Sequence, residues 1–133
     1  MPTLNIHAFD HLVIKCADVD ASLTWYLDVL GLSPVRVDEW RAGEAFFPSV
    51  RVSRETIIDL IPRAADFGER NVDHICLVAD RASVDAIVAD AATDAPTFTI
   101  VDGPGPRFGA RGDGWSVYVT DPDGNVVEIR SYD

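Results

Sequence analysis

The sequence has few cysteines and no long apolar run. Its two cysteines, Cys16 and Cys76, stand 60 positions apart, in neither a CxxC nor a zinc-ribbon spacing. That pattern argues against a disulfide scaffold and points to a cytoplasmic protein with free thiols. No apolar stretch approaches the roughly 20 residues that span a bilayer. The opening Met1-Pro2-Thr3-Leu4-Asn5-Ile6 has no basic segment followed by an apolar one, so no secretory leader is expected. Positive charge is scarce too: 11 basic residues face 22 acidic ones, for a net charge of −11. Such a surface repels phosphate backbones and argues against nucleic-acid binding. The acids are spread along the chain without an acidic tail, which suits plain solubility. What remains is a chain of 133 residues, 47 % of them hydrophobic, enough for one compact domain over 1–133 with a real core.

The chain repeats itself. Asp10-His11-Leu12-Val13-Ile14-Lys15-Cys16-Ala17-Asp18 matches Asp73-His74-Ile75-Cys76-Leu77-Val78-Ala79-Asp80 at a constant offset of 63. Each segment reads as a buried strand. A helix signal follows each. Val19, Leu23, Tyr26, Leu27 and Leu30 fall near helical spacing, with Asp18 or Asp20 to cap the start and Gly31 to end it. Val84, Ile87, Val88 and Ala91 form the second stripe, with Asp80 or Ser83 as cap. Strands are predicted at Val35–Glu39, Ala45–Val52 and Thr56–Ile61, then at Thr97–Asp102, Trp115–Thr120 and Val126–Ser131. Asp121-Pro122-Asp123-Gly124-Asn125 is a turn, and Gly103-Pro104-Gly105-Pro106 another, since it opens no phosphate-cradling helix. The predicted architecture is α+β: a βαβββ module over residues 7–62, a linker near 62–72, and a second βαβββ module over 72–132.

Strand side chains alternate between faces. Leu12 and Ile14 form one greasy pair and Ile75 and Leu77 another, so the helices should cover those faces and leave His11 and His74 on the opposite ones. Asp59 and Glu128 hold equivalent places in the closing strands Ile57-Ile58-Asp59-Leu60-Ile61 and Val126-Val127-Glu128-Ile129-Arg130. A buried carboxylate needs a cation, a donor or a raised pKa. Two imidazoles and two carboxylates at equivalent repeat positions form a natural divalent-cation set: His11, His74, Glu128 and Asp59. Mixed nitrogen and oxygen ligands suit Ni, Zn, Mn, Fe or Co better than Ca. Taken singly, a strand His is more often a hydrogen-bonded core residue and a Glu on a last strand mere edge polarity; recurrence in register is what favours ligation. His7 shares the parity of His11 but has no counterpart in the second half.

Phe9-Asp10-His11-Leu12-Val13-Ile14, with the segment from Asp18 to Leu32, closely resembles the opening of the vicinal oxygen chelate superfamily. That superfamily includes glyoxalase I, the bleomycin and fosfomycin resistance proteins, methylmalonyl-CoA epimerase and the extradiol dioxygenases. The segment Ser116 to Ile129 resembles its closing hairpin, so the resemblance covers nearly the whole chain. It implies paired βαβββ modules whose mixed sheet curls into a cup around a divalent metal, with His11, Asp59, His74 and Glu128 at the ligand positions. Asp59 departs from the usual Glu of glyoxalase I and is one methylene shorter, so it reaches the metal directly or through water. The resemblance also implies a homodimer acting on a small molecule.

Three functions follow from that resemblance. One is a lyase or isomerase of glyoxalase or epimerase type, in which the metal polarises two neighbouring substrate oxygens and Asp59 or Glu128 moves a proton. A second is an Fe(II) or Mn(II) extradiol dioxygenase with a His-His-Glu site. A third is a drug-sequestering protein of the bleomycin-resistance kind, whose members typically lack the metal ligands present here. Tyr118, ten residues before Glu128, is a candidate to hydrogen-bond a metal-bound oxygen, or else a packing residue with its phenol in water. Arg111, on an expected flexible loop over Gly103–Gly114, is a candidate to meet an anionic substrate group, or else a solvated surface charge. The loops Asp38–Phe47 and Gly103–Gly114 would choose the substrate. Trp40, Phe46 and Trp115 could line the cup or pack in the core.

Overall fold

The computed structural model describes residues 1–29, 31–62, 72–120, 124 and 126–133. The chain divides into two compact units, His11–Asp73 and the combination of Met1–Asp10 with His74–Asp133. The first strand, β1 (Ile6–Cys16), crosses that division, so its first five residues belong with the second unit. No helix among the described residues is long and apolar enough to cross a membrane.

In the N-terminal unit, β1 leads into α1 (Val19–Thr24), then β2 (Ser33–Val35), α2 (Val37–Arg41), β3 (Ser49–Arg51) and β4 (Ile57–Pro62). The spatial order is β2-β3-β4-β1, antiparallel except for the parallel β4–β1 pair. Asp18 starts α1: its side chain accepts from the Ala21 backbone N–H at 3.0 Å and satisfies one of the helix's orphan donors. Past Thr24 the chain widens into a π-helical turn, Trp25–Val29, and Gly31 then takes the left-handed conformation (φ 71°) expected of it. Leu23, Val50, Leu60 and Cys16 make the buried core, with Val19, Tyr26, Leu27 and Trp40 packed on it.

One predicted strand is a helix. Val35–Glu39 was expected to be extended, but the strand ends at Val35, Arg36 turns left-handed (φ 56°), and Val37–Arg41 winds into α2. The local chemistry favours this: Asp38 and Glu39 sit in the helix's first turn and Arg41 in its last, each matched to the helix dipole. The second extended stretch shortens from Ala45–Val52 to Ser49–Arg51.

The C-terminal unit runs β5 (Val72–Ala79), α3 (Arg81–Ala91), β6 (Ile100–Gly109), β7 (Gly112–Thr120) and β8 (Val126–Ser131). Its order, β5-β8-β7-β6 with β5 and β8 parallel, repeats the pattern of the first unit. Each module is therefore βαβββ, with α2 an insertion in the first. Asp80 caps α3 by accepting from the backbone N–H and hydroxyl of Ser83 at 3.0 and 2.6 Å. Val84 and Ile87 bury the helix against Ala79, Val117, Val119 and Ile129, and Trp115 packs there too.

The segment Gly103–Gly114 is not a loop. β6 runs through both Gly-Pro pairs to Gly109, and only Ala110 and Arg111 separate it from β7. Proline cannot donate to a ladder, so two prolines fit only because β6 is an edge strand, and its register against β7 shifts between Asp102 and Gly105. The turn expected at residues 121–125 lies outside the described residues apart from Gly124 (φ 83°), as do Leu30 and the linker residues 63–71.

Candidate metal centre

Within each unit the strand faces divide as alternation predicts. In the N-terminal unit His11 stands opposite Ile57 and Val13 opposite Asp59. That register places His11 and Asp59 on the face away from α1, while Ile14, Cys16, Ile58 and Leu60 face the helix core. Asp59 is buried, and its Oδ1 accepts a hydrogen bond of 2.5 Å from Ser49 Oγ on the neighbouring strand. Its other oxygen, Oδ2, lies 3.9 Å from His11 Nε2.

The C-terminal unit carries the same arrangement more tightly. Cys76 stands opposite Glu128 and Tyr118 opposite Glu128 on its other side, so His74, Cys76, Tyr118, Glu128 and Arg130 share the face away from α3. His74 Nε2 is 3.0 Å from Glu128 Oε1. Glu128 Oε2 accepts from Ser116 Oγ at 2.8 Å and from Arg130 Nη2 and Nε at 2.8 and 3.3 Å. Both Glu128 and Arg130 are fully buried. In each module, then, one carboxylate oxygen is held from behind by a serine and the other faces the histidine of the adjacent parallel strand.

Two donors each about 2.0–2.2 Å from a metal and about 90–110° apart are about 2.8–3.6 Å from one another. The His74–Glu128 spacing of 3.0 Å falls inside that window, and the His11–Asp59 spacing of 3.9 Å falls outside it. Each unit thus offers an imidazole nitrogen beside a carboxylate oxygen, the donor chemistry of a divalent ion.

Tyr118 stands edge-on to His74, with ring centroids 5.4 Å apart. Burial raises its pKa well above the usual phenol value, and the charge of Glu128, to which it hydrogen-bonds, pushes it higher. Tyr118 is therefore a protonated donor throughout the physiological range. Arg111 is not brought to this group. It sits in the β6–β7 turn with its guanidinium stacked 4.1 Å over the Tyr132 ring. Tyr118 lies six residue steps along β7 from Gly112, about 20 Å at the usual rise. The arginine near Tyr118 is Arg107, whose guanidinium lies 5.8 Å from that ring and pairs with Asp102 at 3.2 Å. His7 is exposed on β1, and the Asp80 helix cap is held below the usual carboxylate pKa chiefly by its hydrogen bonds from Ser83 and Asn5. Phe46 is almost wholly exposed.

Ser49, Ser116, Arg107 and Arg130 were not singled out by the sequence. Arg130 and Ser116 had a usable signal, since each lies on the same strand parity as a flagged residue: Arg130 two after Glu128, Ser116 two before Tyr118.

Burial also raises the pKa of Tyr132, whose hydroxyl donates to Asp10 at 2.5 Å. Both phenols are held neutral in the folded state while unfolded tyrosine ionises at about pH 10. Their contribution to stability is complete below that value and is lost as pH rises through and beyond it. The thermal midpoint should fall steeply above about pH 10, and a Tyr118→Phe/Tyr132→Phe double variant should decline less over the same range.

A family model described as the Glyoxalase/Bleomycin resistance protein/Dioxygenase superfamily matches residues 8–129. The chain belongs to that superfamily. It is 29 % identical over 127 residues to the virulence protein STM3117 of Salmonella typhimurium, covering 96 % of this chain and 85 % of that one. It is 31 % identical over 137 residues to the glyoxalase domain-containing protein RDO1 of Mycosarcoma maydis, covering 97 % and 70 %. Among solved structures, the Mn(II)-bound glyoxalase from Novosphingobium aromaticivorans matches with a TM-score of 0.64 at 24 % identity, over 97 % of this chain. The present chain spans only 40 % of that glyoxalase's length, and at this identity the likeness speaks for the fold alone.

Proposed function

We propose that this superfamily member is a divalent-metal-dependent enzyme of lyase or isomerase type, acting on a small molecule with oxygens on two neighbouring carbons. His11, His74 and Glu128 would hold the ion, which is Ni, Zn, Mn, Fe or Co, with Asp59 as the fourth residue of the set. The observation that carries this reading is the His74–Glu128 pair at 3.0 Å, its carboxylate fully buried and with Ser116 and Arg130 bonded to the far oxygen of Glu128. A bound metal would supply Lewis acidity to the substrate oxygens. The chain's own residues would do the rest. Asp59, steadied by Ser49, would accept a proton from the carbon beside the carbonyl and return it. Tyr118, kept protonated, would donate to a substrate oxygen. Arg107 rather than Arg111 would meet an anionic substituent, since it is the arginine beside Tyr118.

The wider spacing of Asp59 from His11 favours one second reading. With Asp59 kept off the ion, a His-His-Glu set leaves positions open for a catechol and dioxygen, as an extradiol enzyme needs.

The test is purified protein stripped of metal, reloaded separately with each of the five ions and assayed two ways. The lyase or isomerase reading expects metal-dependent deuterium exchange beside the carbonyl of 2-hydroxy carbonyl compounds. The dioxygenase reading expects oxygen uptake with catechols in the iron or manganese form. Protein that takes up none of the five ions sinks both and revives the sequestering role. The same reading takes the protein as a homodimer, to be checked by sedimentation.

A further inference from the structure

The glycine-rich run Gly109-Ala110-Arg111-Gly112-Asp113-Gly114 has a use that its hairpin position does not require. The Arg130 side chain, fully buried, lies across it. A methyl built on Gly109 would overlap Arg130 Nη1 outright and come within 2.6 Å of Tyr132 Oη; one built on Gly114 would first meet the Ser131 backbone oxygen at 2.9 Å, with Arg130 Nη1 next at 3.2 Å. Gly109 has an ordinary backbone conformation, with no positive φ that would by itself call for glycine. The missing side chains leave a bay, and the guanidinium fills it.

Inside the bay every side of the guanidinium is engaged. Nη2 donates to Phe108 O at 2.8 Å, and Nη1 donates to Tyr132 Oη at 3.2 Å. Asp10 lies 3.9 Å from Nε, and itself accepts from Tyr132 Oη and from the Ala110 backbone N–H at 2.5 and 3.1 Å. What these contacts leave is one direction, and along it Nε and Nη2 both point to the same oxygen, Glu128 Oε2. Two donors on one oxygen fix the rotation of the carboxylate, and Ser116 adds a third. The other oxygen is thereby turned to His74.

We propose that Arg130, seated in the glycine bay, is the positioning residue that decides which oxygen of Glu128 faces His74, and so sets metal affinity and one-oxygen coordination at this centre. The inference rests on Glu128 being a metal ligand. It also says what Gly109 is for: it admits a buried cation where any larger residue would close the space. Partners that orient ligands in this way typically govern metal affinity by about 10–100-fold.

Mn(II) alone is the probe, its dissociation constant read by titration and its coordination symmetry by electron paramagnetic resonance at saturating metal. The variants are G109A, which displaces the flexible end of Arg130 and leaves Glu128 untouched, R130K, which keeps the charge but not the two-point grip, and S116A. G109A and R130K should each weaken Mn(II) by about 10–100-fold and alter the spectrum at saturation, with near-ultraviolet circular dichroism unchanged; S116A should do so less. A purely structural role for Arg130 would move the thermal midpoint and leave the saturated spectrum alone. Wild-type affinity and spectrum in folded G109A and R130K overturn the inference while leaving the metal reading intact. Wild-type protein that binds none of Mn(II), Zn(II), Ni(II), Fe(II) and Co(II) overturns both.

Discussion

Replacing Glu128 by alanine should destabilise the protein by about 3–5 kcal/mol, far more than losing any ion pair on its surface. The reason is what the substitution leaves behind. Glu128 and Arg130 are both fully buried, and Arg130 directs two of its donors at Oε2. Burial by itself would lower the Arg130 pKa, but the charge and hydrogen bond of Glu128 outweigh it, so the guanidinium stays charged. Without Glu128 that charge keeps Asp10, at 3.9 Å, as its carboxylate neighbour. An exposed pair such as Arg81–Asp85 on α3, at 3.2 Å, is of a kind worth a few tenths of a kcal/mol. The matching double variant Glu128→Ala/Arg130→Met should recover part of the loss, because it removes the under-paired cation and restores apolar volume while buried Asp10 keeps its hydrogen bonds from Tyr132 and Ala110. Urea unfolding of the three proteins is the measurement. A loss below about 1 kcal/mol for Glu128→Ala would mean that Asp10 suffices to hold the guanidinium.

Much of the module pattern could be read from residues because it depends on signals of short range. Asp18 and Asp80 each precede an apolar stripe, and each caps its helix through its own carboxylate. β8 runs from Val126 to Ser131 as predicted, since an apolar alternation broken by one carboxylate has only one register that buries its greasy side. The face assignment of His74 and Glu128 follows from that register, as does that of His11 and Asp59.

The misread segments share a cause: what decides them is a neighbour, not the segment itself. Gly103-Pro104-Gly105-Pro106 has the composition of a turn, yet β7 supplies a ladder partner and the open edge tolerates the missing N–H groups. Val35–Glu39 alternates like a strand, but Arg36 turns left-handed and the acidic pair behind it starts a helix. The same blindness hid the partners of the site. Ser116, Arg130 and Arg107 come from three positions in two strands and the edge beside them. No one-dimensional spacing rule connects Arg107 to Tyr118 when the Gly103–Gly109 part of β6 is read as a loop.

The four ligand candidates should not respond alike to substitution, and the differences are large enough to decide the chemistry. His74→Ala and His11→Ala should each weaken divalent-metal binding by more than the roughly 100-fold that bounds the effect of outer partners. Asp59→Ala should weaken it by only about 10-fold. The distinction rests on spacing: 3.0 Å between His74 and Glu128 suits two ligands of one ion, whereas 3.9 Å between His11 and Asp59 leaves room for an intervening water. Ser49 deepens the difference, since its hydroxyl holds Asp59 Oδ1 and resists a swing toward the ion. Asp59→Glu extends the side chain by at most about 1.5 Å, one C–C bond, enough to close the gap. It should therefore bind metal more tightly than wild type and lose any oxygen uptake with catechols, because the added ligand takes a position that dioxygen would need. Isothermal titration of the four variants with Zn(II) and Mn(II) reads the first effect and an oxygen electrode the second. If Asp59→Ala proves as damaging as His74→Ala, Asp59 binds the ion directly, and the lyase or isomerase chemistry, with a carboxylate that leaves the metal to carry a proton, gains over ring cleavage.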